Sequence, residues 1–214
     1  RIKYAHENGM ETLLYSNGTM LDKKMREKIL NIQPTRIRFS IDGIKKETFE
    51  SIRIGADFEK VVENIKNLYY EREKRGQKFP IIEVFFTLLD KNKKEAGDFL
   101  KFWRDKSDFA TLYPADSRES DIFPIVSYKN KKPYPCLSPK MPIILGNGDV
   151  ALCCVDFDGK FNLGSLKKQK LKDILNSEKM KEIYDSQMNR KCNLPICINC
   201  SKMYIDSAFK WWIF

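Results

Sequence analysis

The stretch TLLYSNGTMLDKKMREKILNIQPTRIRFSIDG, Thr12 to Gly43, sets the fold class. Thr12–Ser16 is a short apolar run that reads as a buried strand entering the turn Asn17-Gly18-Thr19. Leu21, Met25 and Ile29 then recur at helical spacing, with Asp22 placed to cap the helix. Arg36–Asp42 alternates polar and apolar residues with the period of two that a strand requires, and Gly43 ends it. Strand, helix and strand in succession make a βαβ unit, whose two strands run parallel.

The same alternation extends to both sides. Residues 2–8 read as the end of a helix stopped by Gly9. Residues 46–53 form a short helix, and Asp57–Arg75 a long amphipathic one. The latter turns Phe58, Val61, Val62, Ile65 and Leu68 to the core and stops at Gly76. Ile81–Leu89 is a β-rich run, residues 93–106 a helix, and Phe109–Pro114 a further strand. The expected class is α/β with a parallel sheet, and in such folds ligands sit at the carboxyl ends of the strands. The polar residues there are Ser16, Asn17, Ser40, Asp42, Thr87, Asn92 and Arg118. Each also has a plain structural reading: Ser16-Asn17-Gly18 as a turn, Ser40 and Asp42 as strand-end caps.

The texture changes near residue 120, which divides the chain into domains at 1–120 and 121–214. A Pro- and Lys-rich connection leads to a hairpin, Met141 to Val155, around Asn147-Gly148. A helix from about Lys170 to Met188 and a cysteine-rich end follow. The 214 residues carry 39 basic and 29 acidic side chains, a formal +10, which reads as a solvated lysine-rich surface. With no nucleic-acid motif to support it, that charge does not by itself point to DNA or RNA. No run approaches the roughly 18 apolar residues that span a bilayer.

All six cysteines, Cys136, Cys153, Cys154, Cys192, Cys197 and Cys200, lie in the second part. Such crowding points to a metal site in a reducing, cytoplasmic compartment more than to a disulfide scaffold. Cys197-Ile-Asn-Cys200 is a two-thiolate chelate. The hairpin and the segment entering it supply the other sulfurs. On the strand VALCCV, Cys154 shares a face with Val150 and Leu152 and is expected in the core, leaving Cys153 as the ligand. Cys192 is a spare or an alternative ligand. Four thiolates suit zinc and an iron–sulfur cluster equally.

Cys136, eleven residues, Gly148, four residues, Cys153, and later Cys197-x-x-Cys200 form an ordered signature. With the LGSL and LKDILNS segments between, it resembles the SPASM domain that follows the barrel of radical SAM enzymes, in its shorter, single-cluster form. YSNGTML, RIRFSIDG, FESIRIGADFEKVVENIKNL and the strand of Glu83–Asn92 resemble the middle of a radical SAM barrel. The resemblance thus covers nearly the whole chain. It implies a partial (β/α)6 barrel of later strands and helices, followed by a small α+β cysteine-rich domain. Cys136, Cys153, Cys197 and Cys200 would hold one auxiliary [4Fe–4S] cluster. Ser40 and Asp42 would lie near the ribose of S-adenosylmethionine, Asn17 would face substrate or cofactor, and Arg53 would assist.

In the intact family a second [4Fe–4S] cluster, held by C-x-x-x-C-x-x-C, cleaves S-adenosylmethionine to a 5′-deoxyadenosyl radical. Electrons come from a donor such as flavodoxin or ferredoxin, and substrates are often peptides or protein side chains. No cysteine precedes Cys136 here. Thr12–Ser16 resembles the family's third strand, so the expectation is a fragment that does not cleave S-adenosylmethionine alone. Competing readings are a zinc-stabilised nucleic-acid-binding module and a catalytically inactive scaffold.

Overall fold

The computed structural model describes residues 1–114, 136, 141–198 and 200. They fall into two compact units, one within Arg1–Ala115 and the other within Asp116–Lys210. The expected boundary near residue 120, Arg118 and the Pro- and Lys-rich connection lie outside the described residues.

The first unit opens with α1 (Ile2–Glu7), ended at Gly9, where φ is +71°. It continues through β1 (Leu13–Ser16), α2 (Lys23–Ile32), β2 (Arg36–Ser40), α3 (Lys46–Ile52) and α4 (Phe58–Lys74). Then come β3 (Ile81–Leu88), a 3-10 turn at Lys93–Glu95, α5 (Ala96–Trp103) and β4 (Phe109–Pro114). The strands lie in the order β1-β2-β3-β4, each parallel to the next. One face carries Ile37, Phe39, Ile82, Val84 and Phe86, all buried against Leu30, Val61, Ile65, Leu68, Phe99 and Trp103 of the helices. Each large side chain removed from water there contributes roughly 1.5–3 kcal/mol.

Local signals start the helices. Asp22 Oδ1 accepts from the Met25 N–H at 2.8 Å, and Asp57 Oδ1 from that of Lys60 at 3.0 Å. Of the expected positions around α2, Leu21 is buried and Ile29 packs against the core, and only Met25 departs. Because the Asp22 cap starts the helix at Lys23, Leu21 lies before it and Met25 turns outward, while Arg26 and Leu30, one helical turn apart, face inward.

The second unit holds a three-stranded antiparallel sheet, β5 (Ile143–Ile144), β6 (Asp149–Ala151) and β7 (Asn162–Ser165). Gly148 takes φ +88° in the β5–β6 turn. The single helix expected over Lys170–Met188 is two, α6 (Leu171–Leu175) and α7 (Glu178–Met188). Asn176-Ser177 separates them: Ser177 Oγ accepts from the Met180 N–H, so a new helix starts there. A short helix, α8 (Pro195–Ile198), follows. Among the described residues its core is formed by Val150, Leu152, Leu163, Ile174 and Met180.

Candidate functional site

The carboxyl ends of β1–β4 gather the polar residues of the first unit. Ser16 Oγ accepts from Gly18 N–H, and Asn17 Oδ1 from the N–H and hydroxyl of Thr19. Gly18 is held by Asn64 Nδ2, 3.0 Å from its carbonyl, and a Cβ there would meet Val61 Cγ1 at 3.1 Å. Asn17 is exposed at the tip of this fixed turn.

Asp42, 2% exposed, joins the ends of β2 and β3. Its Oδ1 accepts the Thr87 N–H at 2.7 Å, and its Oδ2 pairs with the Arg53 guanidinium. Asn92 Nδ2 donates to the carbonyls of Asp42 and Thr87, and its Oδ1 accepts from Leu89 N–H at 2.7 Å. Glu95 accepts from the N–H groups of Ile44 and Lys45 and from the Thr48 hydroxyl. Asp42 and Arg53 are thus brought together, with Ser40 two residues away at the end of β2. Asn17 stands separately after β1. Glu95 had no signal beyond its acidity, since its partners lie some fifty residues back.

The sheet face opposite the helices is polar and aromatic. Strand register places Tyr15, Arg36, Arg38, Glu83, Phe109 and Thr111 together on it. Glu83 Oε2 takes Arg38 Nε at 2.7 Å and Arg36 Nη1 at 3.0 Å, while its Oε1 accepts from Thr111. Arg38 also donates to the Tyr15 hydroxyl at 2.7 Å. Two guanidiniums thus share one buried carboxylate.

The cysteines define the site of the second unit. The expected strand through Cys153 and Cys154 stops at Ala151, so alternation of faces does not reach either residue. Cys154 is exposed, not in the core, and Cys153 is half-buried against Val150 and its neighbours. The chain turns there because Asp156, 2% exposed, accepts backbone N–H groups of Leu152 and Phe161, and its own N–H bonds the Cys153 carbonyl. Asp156 was not singled out from the sequence, although an Asp between an apolar run and a glycine is a turn signal.

Burial pushes the Cys153 thiol up, against the backbone N–H groups of Val155 and Asp156, which hydrogen-bond it; Cys154 and Cys136 lie near enough to raise it further. Burial also pushes the Cys197 thiol well above its ordinary range, helped by Cys192, and Cys153 is again a neighbour. The Cys200 N–H bonds the Cys197 carbonyl at 3.1 Å, closing the C-x-x-C turn. Cys153 therefore has Cys136, Cys154 and Cys197 within electrostatic reach, with Cys200 tied to Cys197 through the backbone and Cys192 beside it.

This donor set fits an iron–sulfur cluster: sulfurs only, no disulfide among the six cysteines, and N–H donors on Cys153 and Cys197. No helix of the described residues is long and apolar enough to cross a membrane.

Comparison with known proteins places these features. Residues 136–201 match the SPASM family, described as an iron–sulfur cluster-binding domain. The chain is 28% identical over 97 residues to the Fe-coproporphyrin III synthase of Methanosarcina barkeri; the match takes in 42% of this chain and 24% of that protein's length. Among solved structures, Streptococcus suis SuiB superposes with a TM-score of 0.65 at 13% identity, over 94% of this chain and 57% of that one. The enzyme anSMEcpe, solved with AdoMet and the Kp18Cys peptide, gives 0.60 at 14% identity, over 94% and 70%. BtrN, solved with AdoMet and 2-DOIA, gives 0.56 at 14% identity, over 100% and 70%.

Proposed function

We propose, from the SPASM match of residues 136–201 and the radical SAM enzyme fold of the residues before them, that this chain carries the auxiliary-cluster site and later barrel strands of such an enzyme. Cys136, Cys153, Cys197 and Cys200 hold one [4Fe–4S] cluster, which supplies one-electron transfer when bound. The reading is carried by the ordered spacing of Cys136, Cys153, Cys197 and Cys200 within the stretch that matches the iron–sulfur cluster-binding family.

The residues around those sulfurs have separate tasks. Asp156 fixes the turn that presents Cys153. The N–H groups of Val155 and Asp156 place positive dipoles on its sulfur, and the Leu152 core shields it from water. In the first unit, the Asp42–Arg53–Thr87–Asn92 lock fixes the carboxyl ends of β2 and β3. Ser40 and Asn17 stand at that end, where S-adenosylmethionine and substrate bind in the whole enzyme. The peptide bound to anSMEcpe supports a peptide or protein substrate. A flavodoxin or ferredoxin serves as electron donor, and the cytoplasm suits the reduced thiols.

The test is anaerobic purification of this chain from iron-replete cells. Brown protein with about four iron and four sulfide per chain is the expected result. Stoichiometric zinc without sulfide would refute it.

A further inference from the structure

Gln187, in the last turn of α7, is 1% exposed. Its Nε2 lies 3.0 Å from Cys192 Sγ and 3.2 Å from Cys197 Sγ. Its Oε1 is buried with no hydrogen-bond partner among the described residues. An apolar side chain there would have avoided that orphaned acceptor. The carboxamide instead points its N–H donors at sulfur. A thiol sulfur accepts an N–H only weakly, whereas a metal-bound thiolate accepts it well, so the contact strengthens when Cys197 is a ligand.

The local chain path serves the same contact. Arg190 takes φ +57°, and the Lys191 N–H bonds the Ser186 carbonyl at 2.8 Å. The chain folds back at once, and Cys192 returns to Gln187 only five residues on. α8 then begins at Pro195 and delivers Cys197 to the same amide. Sequence gave no warning, because a glutamine in an amphipathic helix reads as a surface residue.

We propose that Gln187 is a positioning residue of the cysteine site: its carboxamide holds Cys197 against Cys192 and, by donating N–H to the Cys197 sulfur, raises the reduction potential of the cluster bound there. The inference rests on the cluster reading above. Its physical basis is charge: reduction adds an electron to the cluster, and a donor on a ligand sulfur stabilises that added negative charge. Cys192 is the second acceptor and keeps the amide in place without being one of the four ligands.

The test uses the full chain with Gln187→Met, which keeps length and bulk but removes the donors, and Gln187→Glu, which keeps shape. Potential is read by titration followed with electron paramagnetic resonance. Gln187→Met is expected to keep its iron and to shift the reduced-to-oxidised ratio about tenfold toward oxidised at fixed potential, a fall of about 59 mV for one electron. Gln187→Glu is expected to fall at least as far. An unchanged potential in an iron-loaded Gln187→Met protein overturns the proposal.

A second readout does not need the cluster. In metal-free protein, alkylation of Cys197, followed by peptide mass spectrometry, is expected to quicken about fivefold in Gln187→Met. If neither variant loads iron, an unchanged alkylation rate overturns the proposal. Wild-type protein that never loads iron refutes the cluster reading instead, and alkylation then still decides whether Gln187 holds the thiols.

Discussion

The two units reach stability by different means. In the first, four parallel strands bury fifteen apolar side chains against helices, and cysteine is absent. Its polar groups are locks between strands: Glu83 under two arginines, Asp42 between Arg53 and Thr87, and Asp108 accepting from Arg72 Nη2 and the Ile82 N–H. In the second, six buried apolar side chains among the described residues stand beside six cysteines. A core that thin rarely holds a fold alone, and small domains usually add a metal or disulfides. The second unit therefore has more stability to gain from a bound group than the first.

Perturbations that touch one unit and spare the other test that contrast. The largest effect is expected from Cys153→Ser, which abolishes iron binding and destabilises the second unit. Hydrogen exchange should show lost protection around β6 and α7, and unchanged protection in β2 and β3. Equal loss in both units would erase the contrast. Next is Glu83→Ala, which leaves Arg36 and Arg38 without their shared partner. Its cost is about 1–3 kcal/mol in the first unit, because both guanidiniums keep some solvent, read by denaturant unfolding with iron content unchanged.

A smaller effect concerns pH. Burial raises the thiols of Cys153 and Cys197, so metal-free protein keeps both protonated at neutral pH, and loading must release those protons. Affinity therefore falls as pH drops, by about tenfold per pH unit for each proton released, measurable by metal-binding titration between pH 6 and 8. A flat profile would show the thiols already ionised. Ser177→Ala should cost about 1 kcal/mol by removing the cap of α7. Cys154→Ala, at an exposed position, should change stability by less than about 0.5 kcal/mol and leave iron in place.

The strand-and-helix order of the first unit was legible because each element carries its own period and its own stop: Asp22, Asp57, Gly9 and Gly76 all act where the chain turns. The pairings of Asp42 with Arg53 and of Glu83 with two arginines were not legible as contacts, since they depend on strands meeting side by side. In the second unit the ordered cysteine spacing carried the family, but not which sulfur faces which way. Alternation of faces holds only along a strand, and with Asp156 accepting the Leu152 N–H the strand ends at Ala151, before Cys153 and Cys154. The break of one expected helix at Ser177 has the same origin: a side chain that competes for backbone N–H groups.

The decisive question is whether Cys136, Cys153, Cys197 and Cys200 hold one iron–sulfur cluster. Native mass spectrometry of the anaerobically loaded chain tests it most directly. The predicted result is an added mass of about four irons and four sulfides per chain in wild type and Cys154→Ala, absent in Cys153→Ser. A single zinc in wild type, or a cluster retained in Cys153→Ser and lost in Cys154→Ala, would contradict it.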